Sequence, residues 1–386
     1  MDHHSTTPCA PEVLAEMLPY FSTGFGNPHA RTHANGIAAA NVLQAALASI
    51  ASLINAEPEA LTLTSGATES CNLALLGLAA AATDRREIII SAIEHDCVAK
   101  AAAGLAQQGF TVKVLPVTPQ GFVRAEDIAA AVTDKTLVLS LIAASHEVGT
   151  LQPLQHAVEI AHARGALLHS DATQAVGKVP LDVAALGIDL LSFSAHKIYG
   201  PAGIGALYVR AKPPVAIKPL MFGGLQQRLR PGSVSLPLAA GFGAACRLAL
   251  RDMGAQAKRQ HVLVESLLDQ LQAGGIAIAV NGGRSNILPG LLNVRFAGVD
   301  ADSLMLALRG EVCASSGAAC ASVSRKPSAV LKAIGLADED IAGSLRLTLG
   351  RSTTAEEVAY VAARIIDAVN AQTKNAQNKT QSQHDG

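Results

Sequence analysis

None of the six cysteines forms a C-x-x-C pair, so the chain offers no zinc or iron–sulfur framework by spacing. Cysteines scattered through an enzyme-sized chain point instead to a reducing, cytoplasmic setting. The formal net charge of -1 leaves no footprint for nucleic acid. Long apolar runs are also missing. The best, Leu73 to Ala82, is about half a membrane span and reads as a buried helix, so no membrane partner is expected. No basic, apolar leader precedes Asp2-His3-His4, and no signal peptide is expected. No internal repeat is visible. Gly200, Gly203 and Gly205 do not make G-x-G-x-x-G and come far from the first strand, which weakens a dinucleotide oxidoreductase reading. The His3-His4 pair reads as solvated or locally hydrogen-bonded rather than as a metal site.

What is present is a large apolar content. Hydrophobic residues make up 49% of 386 positions, enough for two domains and a sizeable core. From about residue 60 to 210, short β-rich runs alternate with Ala/Leu-rich helical stretches. The runs are 61–64, 87–91, 112–115, 137–142, 167–170, 190–193 and 206–209. This alternation predicts an α/β domain with a mainly parallel, seven-stranded sheet. Residues 237–274 predict a long helix with a break near Gly254. Strands at 276–280 and 292–296 and helices at 301–308 and 354–369 predict a smaller α+β domain. The expected domains are 13–250 and 251–370. The tail 371–386, rich in Gln, Asn, Lys and Ser, reads as disordered.

Lys197 follows an apolar run, Asp189 to Ser194, and precedes Ile198-Tyr199-Gly200-Pro201, where the chain must turn. Most lysines are solvated surface residues. One held at the end of a buried strand is a candidate Schiff-base amine. Asp171 ends a similar run, Leu167-Leu168-His169-Ser170, and is followed by Ala172-Thr173-Gln174. A pyridoxal phosphate enzyme needs both groups, a lysine to carry the cofactor and a carboxylate to keep the pyridine nitrogen protonated. Their spacing fits neighbouring βα units. Ser65-Gly66-Ala67-Thr68-Glu69-Ser70 follows a short strand and opens a helix. Backbone N–H groups at a helix start favour a phosphate, although a simple Ser/Thr cap gives the same pattern.

The chain resembles the cysteine desulfurases of the NifS/IscS type, in the class V branch of the fold-type I pyridoxal phosphate enzymes. The segments that carry the resemblance are Asp2-His3-His4-Ser5-Thr6-Thr7-Pro8, Phe25-Gly26-Asn27-Pro28, Ser65 to Ser70, Asp171 to Gln174, His196-Lys197, Ser315-Ser316-Gly317-Ala318-Ala319-Cys320 and Leu345-Arg346-Leu347-Thr348-Leu349-Gly350-Arg351. They run in order along nearly the whole chain. The resemblance implies that residues 1–12 join the smaller domain. It also implies that Ala67, Thr68, Ser194 and His196 hold the cofactor phosphate. Ser233 would reach the phosphate of a neighbouring subunit, so a homodimer is implied. His95 would stack on the ring and move protons, Gln174 would lie near the ring O3′, and Arg346 would capture the substrate carboxylate, with Asn27 beside it. Cys320 would attack the sulfur of L-cysteine and leave as a persulfide for a sulfur-acceptor or scaffold protein. Cys313 matches no catalytic position. His146 stands where the family usually has Asn, a donor to O3′, and a neutral histidine can also donate. Rival expectations are a selenocysteine lyase or other β-eliminating enzyme, and a catalytically altered scaffold subunit.

Overall fold

The computed structural model describes residues 1–224, 229–316 and 327–384, with side chains through 374. Cys320 and most of its loop lie outside the described residues. Seven strands form the principal sheet: β1 Leu61–Thr64, β2 Glu87–Ser91, β3 Thr111–Leu115, β4 Thr136–Ser140, β5 Leu167–Asp171, β6 Leu190–Ser194 and β7 Gly205–Val209. Their order is β1-β7-β6-β5-β4-β2-β3. Strands β2 to β6 pair in parallel, while β7 runs antiparallel to both β1 and β6. The expected α/β sheet is therefore present, each strand within two residues of its sequence position.

Alternation along the strands explains the burial on both faces. Ile89, Leu139 and Leu191 belong to one core cluster; Ile88, Ile90, Val138 and Leu190 belong to another on the opposite face. Strands covered on both sides read as near-continuous apolar runs, as these do. The helices Ala67–Ala81 and Asp96–Gln107 cover the second face.

A second sheet holds β8 Ile278–Val280, β9 Leu291–Phe296, β10 Ser315–Ser316 and β11 Ser344–Thr348, in the order β10-β11-β9-β8. Its own core gathers Leu292, Val294, Leu345 and Leu347 with Val358, Val361 and Ile365. The helix Leu236–Ala273 links the two cores without interruption. The break expected near Gly254 does not occur. A Cβ there would meet nothing, so this glycine only weakens the helix, by about 1 kcal/mol, and neighbouring packing outweighs that. The core changes hands inside this helix, since Leu248 packs with the large core and Leu263 with the small one.

Two sequence expectations change. The helix Ala34–Leu53 is long and apolar enough to span a membrane by length and composition, with a mean hydropathy of 1.6. Its stripe of Ala39, Leu43, Ala46, Leu47 and Ile50 is buried, and Gly243 lets it approach Leu236–Ala273 closely: a Cβ there would stand 2.8 Å from Ala46 Cα. The expected disorder from 371 is also not what is seen. The last helix runs Ala355–His384 as one piece. Its first turns are anchored by Val358, Val361 and Ile365, and extending an anchored helix through Ala, Gln and Lys costs little.

Because β1 runs in the same sense as β2 to β6, their carboxyl ends share one edge of the sheet, where α/β proteins bind ligands. Gly205 starts β7 at that edge, between Thr64 and Ser194 in register. A Cβ on Gly205 would stand 2.7 Å from Gly66 Cα and 2.7 Å from the Phe193 carbonyl oxygen. Gly205→Ala is therefore expected to push the Gly66 turn outward and weaken pyridoxal phosphate binding by at least tenfold, about 1.4 kcal/mol. Cofactor titration followed by absorbance checks this; unchanged affinity would show that the turn tolerates the shift.

Candidate active site

A cavity of about 400 Å³ opens at this edge. It is lined by Ser65, Gly66, Ala67, Thr68, His95, His146, Asp171, Thr173, Gln174, Ser194, His196 and Lys197, together with Cys97 and Ile142. Nine residues singled out as cofactor contacts thus meet in one space. Ser233 does not line it. Ser233 lines an adjoining cavity of about 160 Å³ that shares Ser65 and Gly203. Asn27 is exposed, its Oδ1 accepting from the His29 N–H, and it stands apart from the cavity.

Each side chain is set by its strand end. Lys197 closes a short 3₁₀ turn after β6, and its Nζ donates to the carbonyl oxygens of His4 at 2.5 Å and Ser5 at 2.6 Å. Asp171 is the last residue of β5 and is 3% exposed. Its Oδ1 accepts from the Thr173 N–H and hydroxyl. Gln174 donates from Nε2 to the His4 carbonyl and accepts from Lys178 at Oε1, so both ends of its amide already have partners.

His95 caps the helix Asp96–Gln107, its Nδ1 accepting from the Cys97 N–H. The same Nδ1 is 3.2 Å from Cys97 Sγ, and this bond raises the His95 pKa. The His95 and His146 rings meet edge to face at 5.3 Å. Burial holds His146 well below the usual histidine range, so it is neutral near pH 7. Burial likewise takes His196 down to about 4.

Arg346 comes from β11 in the smaller sheet and is 8% exposed. It donates to Asp2 Oδ1, Ser5 Oγ, Ser315 Oγ and the His146 carbonyl.

Three features test whether the site fits pyridoxal phosphate. The helix Ala67–Ala81 begins after Gly66, whose φ of 155° is open to glycine, and no side chain among the described residues caps its N-terminus. His146 Nδ1 is buried without a hydrogen-bond partner among the described residues, and His146 lines the cavity. Arg346 Nε, outside the residues that line the cavity, is also buried without a partner among the described residues. An anion-ready helix start, an unused ring nitrogen and an unused guanidinium N–H suit a phosphate, a phenolic oxygen and a carboxylate.

Such a fold with such a site defines a pyridoxal phosphate enzyme of fold-type I. The family model of class-V aminotransferases matches residues 1–361. A cysteine desulfurase IscS of Rickettsia bellii is 42% identical over 372 residues, covering 96% of this chain and 90% of that protein. Among solved structures, a NifS-like protein superposes with a TM-score of 0.89 at 32% identity, covering 96% of this chain and 98% of the other. A structure of SspA in complex with cysteine gives 0.79 at 32% identity, covering 90% and 97%. The chain belongs to the class-V aminotransferase family, among the cysteine desulfurases of the NifS/IscS type.

Nothing in the sequence pattern marks what lies behind the ring site. Cys71 and Cys97 approach Asp171 there, and His169 sits beneath it between Ser140 and Ser192, bonded to both hydroxyls. Their helix and strand positions look like ordinary core sites; only the meeting of several in space marks them.

His169 is fully buried, and burial lowers its pKa from 6.5 to about 4. A group depressed in the folded state contributes stability above its unfolded pKa, and that stability is lost as pH falls. The window is therefore pH 6.5 down to 4, worth on the order of 3 kcal/mol. The urea midpoint should fall across that window, and His169→Asn should flatten the fall. An equal slope in the variant would place the acid sensitivity elsewhere.

Proposed function

We infer that this chain converts L-cysteine to L-alanine and leaves the sulfur as a persulfide on Cys320 for an acceptor. The observation that supports this most is the convergence of Lys197, Asp171 and His95 on one cavity in a chain so similar to a cysteine desulfurase. When bound, pyridoxal phosphate supplies an electron sink for bonds at the substrate α-carbon. Thr68, Ser194, His196 and the helix start at Ala67 would hold its phosphate. Asp171, fixed at Oδ1 by Thr173 and with Cys97 Sγ 3.9 Å from Oδ2, would hold the ring nitrogen. His146 Nδ1 is the donor for the phenolic oxygen in place of the usual Asn.

Lys197 is the linking amine and, once freed, the base for the α-proton. The His4 and Ser5 carbonyls are placed to hold the resulting ammonium. Arg346 orients the substrate carboxylate through Nε and its charged fork. The Cys320 thiolate then attacks the substrate sulfur. An S–S bond forms, the C–S bond breaks, and its electron pair goes to the carbon that becomes the methyl of alanine after protonation. His95, beside the ring site, is the group to move that proton.

We propose further that the chain works as a homodimer in the cytoplasm, with Ser233 serving the neighbouring subunit, and hands sulfur to a scaffold for iron–sulfur clusters or other sulfur compounds. Against a simple β-eliminating lyase stands the position of Cys320 in its motif.

Three substitutions probe these roles. Lys197→Ala should lose the borohydride-reducible, lysine-linked chromophore; its persistence would rule the assignment out. Cys320→Ala should still bind cofactor and L-cysteine, yet release sulfide at least about a hundredfold more slowly and form no persulfide. Full activity there would favour a simple lyase. His146→Asn should keep cofactor binding and activity within about tenfold, the worth of one hydrogen bond.

A further inference from the structure

Two cysteines distant in sequence meet behind Asp171. Cys71 lies in the second turn of Ala67–Ala81 and Cys97 in the first turn of Asp96–Gln107. Both helices pack on one face of the principal sheet, which brings these turns together at its carboxyl edge. The two sulfurs and an Asp171 carboxylate oxygen all lie within 4.8 Å of one another. The three residues are 0%, 7% and 3% exposed, in the order Cys71, Cys97, Asp171. Cys97 Sγ is 3.9 Å from Asp171 Oδ2 and lines the cavity. The neighbouring Cys97 thiol and burial hold Cys71 well above the usual thiol range, while the contact with Cys71 brings Cys97 down to about 7.

We propose that Cys71, Cys97 and Asp171 form a binding site for a soft divalent cation such as zinc or cadmium, and that this cation and pyridoxal phosphate exclude each other. Thiolates select such ions over magnesium or calcium. Tetrahedral bonds of about 2.0–2.3 Å place donors roughly 3.3–3.8 Å apart, so three atoms that already lie within 4.8 Å of one another need only a small inward shift to close on a cation. A cation bound by thiolates displaces thiol protons, so binding releases protons and tightens as pH rises. Because Cys97 borders the cavity, a fourth position faces solvent, as in open zinc sites. The exclusion rests on the assignment of Asp171 to the ring nitrogen, since one carboxylate oxygen cannot serve both.

The test uses the full-length chain. After removal of cofactor it is titrated with cadmium while the thiolate-to-metal absorption in the ultraviolet is recorded. The expected result is an absorption step that disappears when pyridoxal phosphate is restored. Reciprocity requires cadmium-loaded chain to bind pyridoxal phosphate more weakly by the same factor, expected to be at least a hundredfold. Cys71→Ser and Cys97→Ser, titrated without cofactor, should each weaken that step by at least a hundredfold. Absorption that survives cofactor saturation would belong to other thiols, such as the exposed Cys313, and would overturn the proposal. Unchanged affinity in both variants would overturn it too. If the chain bound no pyridoxal phosphate at all, the enzymatic reading would fall, and the two variants alone would decide the cation site.

Discussion

The backbone of His4 and Ser5 is the constraint around which the site is organised. Their carbonyl oxygens accept from Lys197, and the His4 carbonyl also accepts from Gln174. On one side the strap continues into Asp2, which bridges to Thr348 on β11 and accepts from Arg346 and Ser315. On the other side Thr7 donates to the His196 carbonyl from both N–H and hydroxyl, and Ala10 N–H donates to Tyr199. Residues 1–10 therefore stitch the small sheet to the strand end that carries Lys197. The two cores share a helix, but it is this strap that brings Arg346 and Lys197 to one place.

Burial and mutual repulsion then decide the charge states. Lys197 and Arg346 act on both His4 and His146 in the protein interior, with Lys178 acting on His4 and His95 on His146. Desolvation comes first, and the neighbouring cations add to it, so both histidines stay neutral. Lys178 itself is lowered by burial, with Lys197 and Arg346 reinforcing the shift. His95 moves the other way because Cys97 bonds to it. Two histidines in edge-to-face contact thus differ in character: one stays a neutral donor or acceptor, while the other is suited to carry a proton.

Much of this was legible in the sequence for a plain reason. Apart from the half-exposed edge strand β3, the strands of the large sheet are buried, so apolar runs mark them, and the residues that end those runs fall on one edge by topology alone. Asp171, Lys197 and Ser65 to Thr68 could be read as a site because each terminates a strand. The reversal of β7 was not legible: Ala206–Val209 looks like any buried strand, and only the pairing of Gly205 with Thr64 and Ser194 reveals its direction.

What the sequence hid depends on contacts between residues far apart whose side-chain types are unremarkable. Cys71 occupies a helix position that any small apolar residue could fill, and Cys97 follows a helix cap, so neither carries the spacing signal that ligands on one loop would show. The strap was hidden for a different reason. Its decisive groups are backbone carbonyls, which every residue possesses, and no residue type advertises that a carbonyl will face a lysine. The motif Asp2 to Pro8 could be matched to a family, but its physical work lies in where the main chain runs. Sequence patterns report what side chains prefer; a site partly built from main-chain oxygens becomes readable only when the chain path is known.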